Sequence, residues 1–192
     1  MSSAGIDRER RRIREGAVFL VLYALTIPVA NWMIGNVGTL CPPNGPCLIP
    51  VAPGLMAPSG VVMVGLTLVL RDLVQRRLGK AWSLAAIVAG AALSAALAPP
   101  ALVVASATAF LLSELADFAV YTPLQRRRLV LAVLASGLAG LVVDSVVFLW
   151  LAFGSLDLLA GQVIGKTWMV LASLPAIRWL RERDRRGGVA PV

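Results

Sequence analysis

Between Ala101 and Tyr121 runs an apolar stretch long enough to cross a membrane, and it carries two carboxylates within Ser113-Glu114-Leu115-Ala116-Asp117-Phe118-Ala119-Val120-Tyr121. An acid near the centre of a membrane span costs about 2.5 to 3.5 kcal/mol on insertion scales. Glu114, Asp117 and Tyr121 stand at i, i+3 and i+7, so on a helix they share one face, and Phe110, Leu111, Leu112 and Phe118 cover the remainder. The acidic face must turn toward a bundle interior or a wet cavity, which the other segments have to build.

The composition agrees with that demand. Of 192 residues, 58% are hydrophobic and only 15% charged, against about a quarter charged in an ordinary soluble domain. The mean hydropathy is +0.82. The reading is an all-α, polytopic membrane protein whose surroundings are lipid. With no His and only two Cys, a His-based metal site, a His proton relay and a disulfide scaffold are excluded. Nothing calls for a cofactor or a metal, and no Ser has an identifiable base, so no catalytic residue is assigned and the chain is not read as an enzyme. The sequence leaves room for a homo-oligomer.

Apolar runs predict six spans, at about 16–34, 51–70, 81–98, 101–121, 129–153 and 158–177, within a transmembrane domain 16–180. A basic arm (1–15) precedes it and a basic tail (181–192) follows. Five Arg between Arg8 and Arg14 before an apolar run superficially resemble a signal peptide, but no small-residue cleavage site follows, so the run is read as a first, uncleaved span. Pro28 predicts a kink in it. Asn31 and Trp32 close it, Asn31 being read either as an interfacial residue or as a substrate contact.

The loop from Asn36 to Pro50 holds Cys41-Pro42-Pro43-Asn44-Gly45-Pro46-Cys47, whose turn formers could bring the two Cys together as a disulfide. Pro50, Pro53, Gly54, Pro58 and Gly60 predict a second helix broken near its outer end, or one that starts late after Pro58. Arg71 to Lys80 is read as a basic inner loop, and Pro99-Pro100 as a tight outer turn. The third span has small residues at four-residue spacing (Ala85 and Ala89, Ala91 and Ala95, Ala92 and Ala96), suited either to packing within the bundle or to docking a partner. The fifth carries Ser136, Gly140, Asp144 and Phe148 as an inward stripe. The sixth contains Gly161-Gln162-Val163-Ile164-Gly165-Lys166.

Of eighteen Lys and Arg, all but Lys166 fall in the arm, in 71–80, in 126–128 or in 178–186. Under the positive-inside rule this places both termini in the cytoplasm, so the net charge of +8 needs no nucleic acid to explain it. Four ionisable groups are then left inside the membrane: Glu114, Asp117, Asp144 and Lys166. Asp144 lies about 15 residues along its helix and Lys166 about 11 to 13 residues from the end of the next, similar depths at ~1.5 Å per residue. An ion pair between Lys166 and Asp144 is therefore predicted, with Glu114 and Asp117 left for substrate or protons. A cavity of this kind suits a secondary carrier for a polar solute.

The order of these features is familiar. Ala30-Asn31, Leu70-Arg71-Asp72-Leu73 with Gly79, Ser113-Glu114-Leu115-Ala116-Asp117, Val120-Tyr121, Ser136, Val143-Asp144-Ser145, Phe148, and Gln162 with Lys166 together resemble the VUT family, the queuosine precursor transporters of the bacterial inner membrane. The resemblance implies uptake of a 7-deazaguanine-like base (preQ0, preQ1 or queuine) for tRNA modification. It also implies substrate contacts from Asn31, Glu114, Asp117, Asp144, Gln162 and Lys166. A carboxylate can accept from the N1–H and 2-amino donors of a guanine-like edge. Here the second span has Gly and Val where the family suggests aromatic residues, and the cysteine loop is unfamiliar. Two other readings compete: the substrate-binding component of an energy-coupling-factor vitamin importer, and a non-transporting membrane scaffold.

Overall fold

The computed structural model describes residues 3–43 and 45–187. Residues 1, 2, 44 and 188–192, which fall in the expected arm, cysteine loop and tail, lie outside the described residues. Six helices and one hairpin follow in order: α1 (Ser3–Asn36), β1 (Leu48–Ala52), β2 (Leu55–Pro58), α2 (Val61–Leu78), α3 (Lys80–Leu97), α4 (Val103–Leu124), α5 (Leu129–Phe153) and α6 (Leu159–Gly187). A single 3-10 turn, Pro100–Leu102, joins α3 to α4.

Four stretches are long and apolar enough to cross a membrane by length and composition: Gly5–Asn36, Lys80–Leu97, Pro100–Leu124 and Leu129–Phe153. The other two helices are interrupted by charge, α2 by Arg71, Asp72, Arg76 and Arg77, and α6 by Lys166 and its basic end. Those α2 charges and Lys166 are buried, while Val88, Val104, Trp150 and many other apolar side chains point outward. This is the inverse of a soluble protein. All five Trp are more than half exposed. Trp32 and Trp150 sit toward the end that carries the hairpin, Trp82 and Trp179 toward the opposite, basic end, as paired interfacial belts would.

The broken second helix is corrected. Residues 51–60 do not form half-helices; they complete an antiparallel hairpin pairing Leu48 with Pro58 and Ile49 with Ala57. Pro53 and Gly54 (φ +73°) provide its turn, the residue pattern of type II. The hairpin's backbone groups are satisfied by each other and by α1: Cys47 N donates to Ile34 O at 2.8 Å and Ser59 N to Cys47 O at 2.9 Å. A disulfide joins Cys41 to Cys47 just before β1. So α2 begins only at Val61, an unbroken helix, and the fold is helical with one small hairpin rather than purely α.

A second correction concerns 71–80, expected as a loop. The apolar spacing Val69, Leu70, Leu73, Val74 continues the helix past Arg71, and these four side chains are buried. Gly79, at φ +93°, then turns the chain directly into α3. Likewise the basic arm is helical from Ser3, and the basic tail continues α6 to Gly187. Charges pin these ends together. Asp184 accepts from Arg76 (2.8 Å) and Arg77 (2.7 Å), and Glu15 accepts from Arg183 (2.6 Å) and forms an ion pair with Arg77 Nε at 2.9 Å.

Close approach is built on glycine. A Cβ at Gly140 would lie 2.8 Å from Leu68 Cδ2 and 3.1 Å from Asp117 Cβ, so its absence lets α5 lie against α4 and α2. The G-x-x-x-G of α6 seats the hairpin, Gly161 against Met56 O and Gly165 against Val51 and Val61. By contrast, Ala85, Ala89, Ala92 and Ala96 of α3 are exposed. Ala91 and Ala95, of the same expected set, are half-buried, so packing within the bundle, one of the two uses expected, falls to that pair alone. The buried face of α3 is instead Ser83, Ala86, Ile87, Gly90 and Ser94.

Candidate functional site

Below the hairpin, all six helices and the end of β2 converge on one cavity. Its wall includes Asn31 from α1, Thr67 from α2, Ser94 from α3, Phe110 and Glu114 from α4, Asp144 and Phe148 from α5, and Gln162 and Lys166 from α6, with Pro58 and Gly60 at the hairpin end. The space open to water centres is about 80 Å³. That is room for roughly six waters. Five of the six expected contact residues (Asn31, Glu114, Asp144, Gln162 and Lys166) line this wall. Asp117 does not; it lies one turn farther along α4, behind Glu114.

Lys166 lies against α5 as the depth count requires. Its Nζ donates to Asp144 Oδ2 (2.5 Å), Ser145 Oγ (2.8 Å) and Gln162 Oε1 (2.6 Å). An ammonium has three N–H donors, so all are used and the charge is fully paired. Gln162 is placed by standing four residues before Lys166 on one helix face.

The second cluster contains the residues that the sequence reading missed. Arg71, wholly buried, sits between the rings of Phe118 and Tyr121, 5.8 and 5.6 Å from their centroids. Its Nε donates to Glu114 Oε2 (3.1 Å), its Nη1 to Gln75 Oε1 (3.0 Å) and its Nη2 to Asp117 Oδ1, with Asp72 Oδ1 3.0 Å from the same nitrogen. Ser136 Oγ donates to Asp72 Oδ2 (3.0 Å), and Gln75 Nε2 to Thr122 Oγ1 (2.9 Å). Glu114 and Asp117 are thus partners of a guanidinium from α2 rather than free acids. Arg71 and Asp72 had been quoted as part of a motif but assigned to a loop. The signal that they are helical was the apolar period running on through Leu73 and Val74.

Glu114 links the two halves: one side faces the cavity, the other takes the Arg71 hydrogen bond. Asn31 Nδ2 donates to Ile27 O (2.9 Å) of its own helix. Two phenyl rings, Phe110 and Phe148, border the same space, so aromatic surface absent from α2 is supplied by α4 and α5.

A lipid-compatible exterior around a cavity whose largely apolar wall carries a few polar and charged side chains, with the interior charges gathered in two clusters, fits a polytopic helical membrane protein. Residues 92–180 match the model of the family described as "Putative vitamin uptake transporter", and this match supports assigning the chain to the VUT family. The matched segment carries Glu114, Asp117, Asp144, Gln162 and Lys166; Asn31, Arg71 and Asp72 lie outside it. No curated protein and no solved structure matches the chain. A vitamin-uptake type of transporter is the coarse function that the family supports.

Proposed function

We propose that the chain is a carrier of the bacterial inner membrane that imports a 7-deazaguanine-like queuosine precursor through the cavity between its six helices. One observation supports this above others: Asn31, Glu114, Asp144, Gln162 and Lys166 border one space together with Phe110 and Phe148. A flat bicyclic base needs two things, aromatic faces to stack on and a carboxylate to take paired N–H donors along one edge. Phe110 and Phe148 offer the first, the cavity side of Glu114 the second. Asn31 and Gln162 complete the polar wall, and Asp117 acts behind Glu114 through Arg71. All six helices cross the bilayer, with both termini and the Arg-rich ends in the cytoplasm.

The test is a bacterium unable to make the precursor, carrying this gene and supplied with micromolar preQ0, preQ1 or queuine. Restored queuosine in its tRNA with at least one supplement is the expected result. No restoration with any of the three would sink the substrate class.

A second reading is favoured by the exposed row Ala85, Ala89, Ala92 and Ala96, a surface on which another membrane protein's helix could lie. In that reading the chain binds a vitamin-like solute for an energy-coupling-factor importer. Co-purification with a membrane partner and two ATPases would support it; uptake into vesicles by the purified chain alone would exclude it.

A further inference from the structure

The Arg71 cluster does not neutralise itself. Three carboxylates, Asp72, Glu114 and Asp117, surround one guanidinium, and all are buried. The Asp72 and Asp117 side chains converge on the same nitrogen, Arg71 Nη2. Each has one oxygen served by a neighbour, Ser136 on Asp72 Oδ2 and Arg71 on Asp117 Oδ1. The other two oxygens are buried and accept no hydrogen bond: Asp117 Oδ2, and Asp72 Oδ1, which has only the ion-pair contact with Arg71 Nη2 at 3.0 Å. Two bare carboxylates in that relation repel, and a proton shared as O–H···O removes both the repulsion and the missing donor.

We propose that Asp72 and Asp117 hold a proton between them, and that this pair is the proton-coupling site of the carrier, joined to the cargo cavity by Arg71 and Glu114. The inference rests on the carrier reading above. Neither aspartate borders the cavity, and the cation position among the acids is already taken by Arg71, so a proton fits where a sodium ion with its oxygen shell does not.

The sense of the coupling follows from Arg71. With the proton in place, its Nε is free to fix Glu114 in the cavity wall. When the proton leaves, two bare carboxylates draw the guanidinium toward themselves, and Glu114 loses its donor. Cargo that binds the assembled wall binds the protonated form more tightly, and by reciprocity the proton binds the loaded form more tightly. That is the sign of symport. The groups facing the pair are Arg71 from α2, Glu114 and Tyr121 from α4, and Ser136 from α5, with Arg76 of α2 beside Tyr121 and Asp144 of α5 beside Glu114. Tyr23 of α1 and Lys166 of α6 stand beyond Glu114 and Asp144, and α3 adds no titratable group except Lys80 at its start.

Infrared spectroscopy of the purified protein without cargo tests the pair. A neutral carboxyl C=O band is expected at pH 7, shifting in heavy water and lost in both Asp117→Asn and Asp72→Asn; Asp72→Asn places an amide N–H where the proton sits and so keeps the contact. No such band, or one unchanged in both variants, overturns the proposal. In proteoliposomes with labelled preQ0, an inward proton gradient should drive accumulation, and Asp72→Asn should lose that accumulation while counterflow persists. Accumulation driven by sodium instead overturns the coupling. The band present but no preQ0 moved under any gradient overturns the cargo reading and leaves the proton pair standing.

Discussion

Replacing Lys166 with Met removes the positive charge from the cavity wall and leaves its length nearly unchanged. Three acceptors then lose their donor: Asp144 Oδ2, Ser145 Oγ and Gln162 Oε1. Breaking a buried ion pair by deleting one partner costs about 3 to 5 kcal/mol. The Asp144 side chain retains 11% exposure toward the cavity, so water can reach it, and the lower end, about 3 kcal/mol, is expected. At about 2 to 4 °C per kcal/mol for a chain of this size, melting should fall by roughly 6 to 12 °C. The assay is thermal unfolding in detergent of Lys166→Met, Asp144→Leu and the double variant. The double variant should recover most of the loss, because a buried pair exchanged for apolar side chains is often neutral in stability. It should still fail to take up cargo. A single variant melting within about 2 °C of the parent, equivalent to less than about 1 kcal/mol, would refute the pairing argument.

Other outcomes follow from the same structure. Asp184→Ala leaves Arg76 without its only ion-pair partner among the described residues and leaves Arg77 with Glu15 alone. It should cost about 3 kcal/mol or more and increase trypsin cleavage at the basic end. Gly140→Ala sets a methyl group 2.8 Å from Leu68 Cδ2 and 3.1 Å from Asp117 Cβ. Overpacking of this kind costs about 1 to 3 kcal/mol, and uptake should fall more than stability, since the displaced helix carries Asp117 and Glu114. Cys41→Ser with Cys47→Ser opens a loop of sequence separation 6. The chain-entropy relation gives about 2 kcal/mol for so short a loop, so melting should drop by a few degrees while uptake is kept.

Much of the interior was legible in the sequence because charges in an apolar run announce their own need for a partner. Glu114, Asp117 and Tyr121 share a buried face, Ser136, Gly140, Asp144 and Phe148 share another, and Lys166 meets Asp144. The helix Leu129–Phe153 coincides with its apolar run. The hairpin was not legible, since prolines and glycines at membrane depth signal irregular backbone without distinguishing a broken helix from two short strands. Pro53-Gly54 was the local clue. Arg71 and Asp72 escaped for a different reason. A cluster of charge after an apolar run reads as a loop end, and only their partners on α4, more than forty residues away, make that cluster tolerable inside. Arg76 and Arg77 were misplaced in the same way, through Asp184 at the far end of the chain.

The claim that the interior charges surround a water-filled pocket, and not a dry structural network, is open to direct measurement. In a Cys41→Ser, Cys47→Ser background, which has no other Cys, single cysteines at Ser94 and Ser106 report from the cavity wall and one at Val104, 71% exposed on the lipid side, serves as control. A water-soluble, membrane-impermeant thiol reagent should label Ser94→Cys and Ser106→Cys, be slowed at both by preQ0, and leave Val104→Cys unmodified. Labelling confined to Val104→Cys, with both cavity positions inert, would contradict the account.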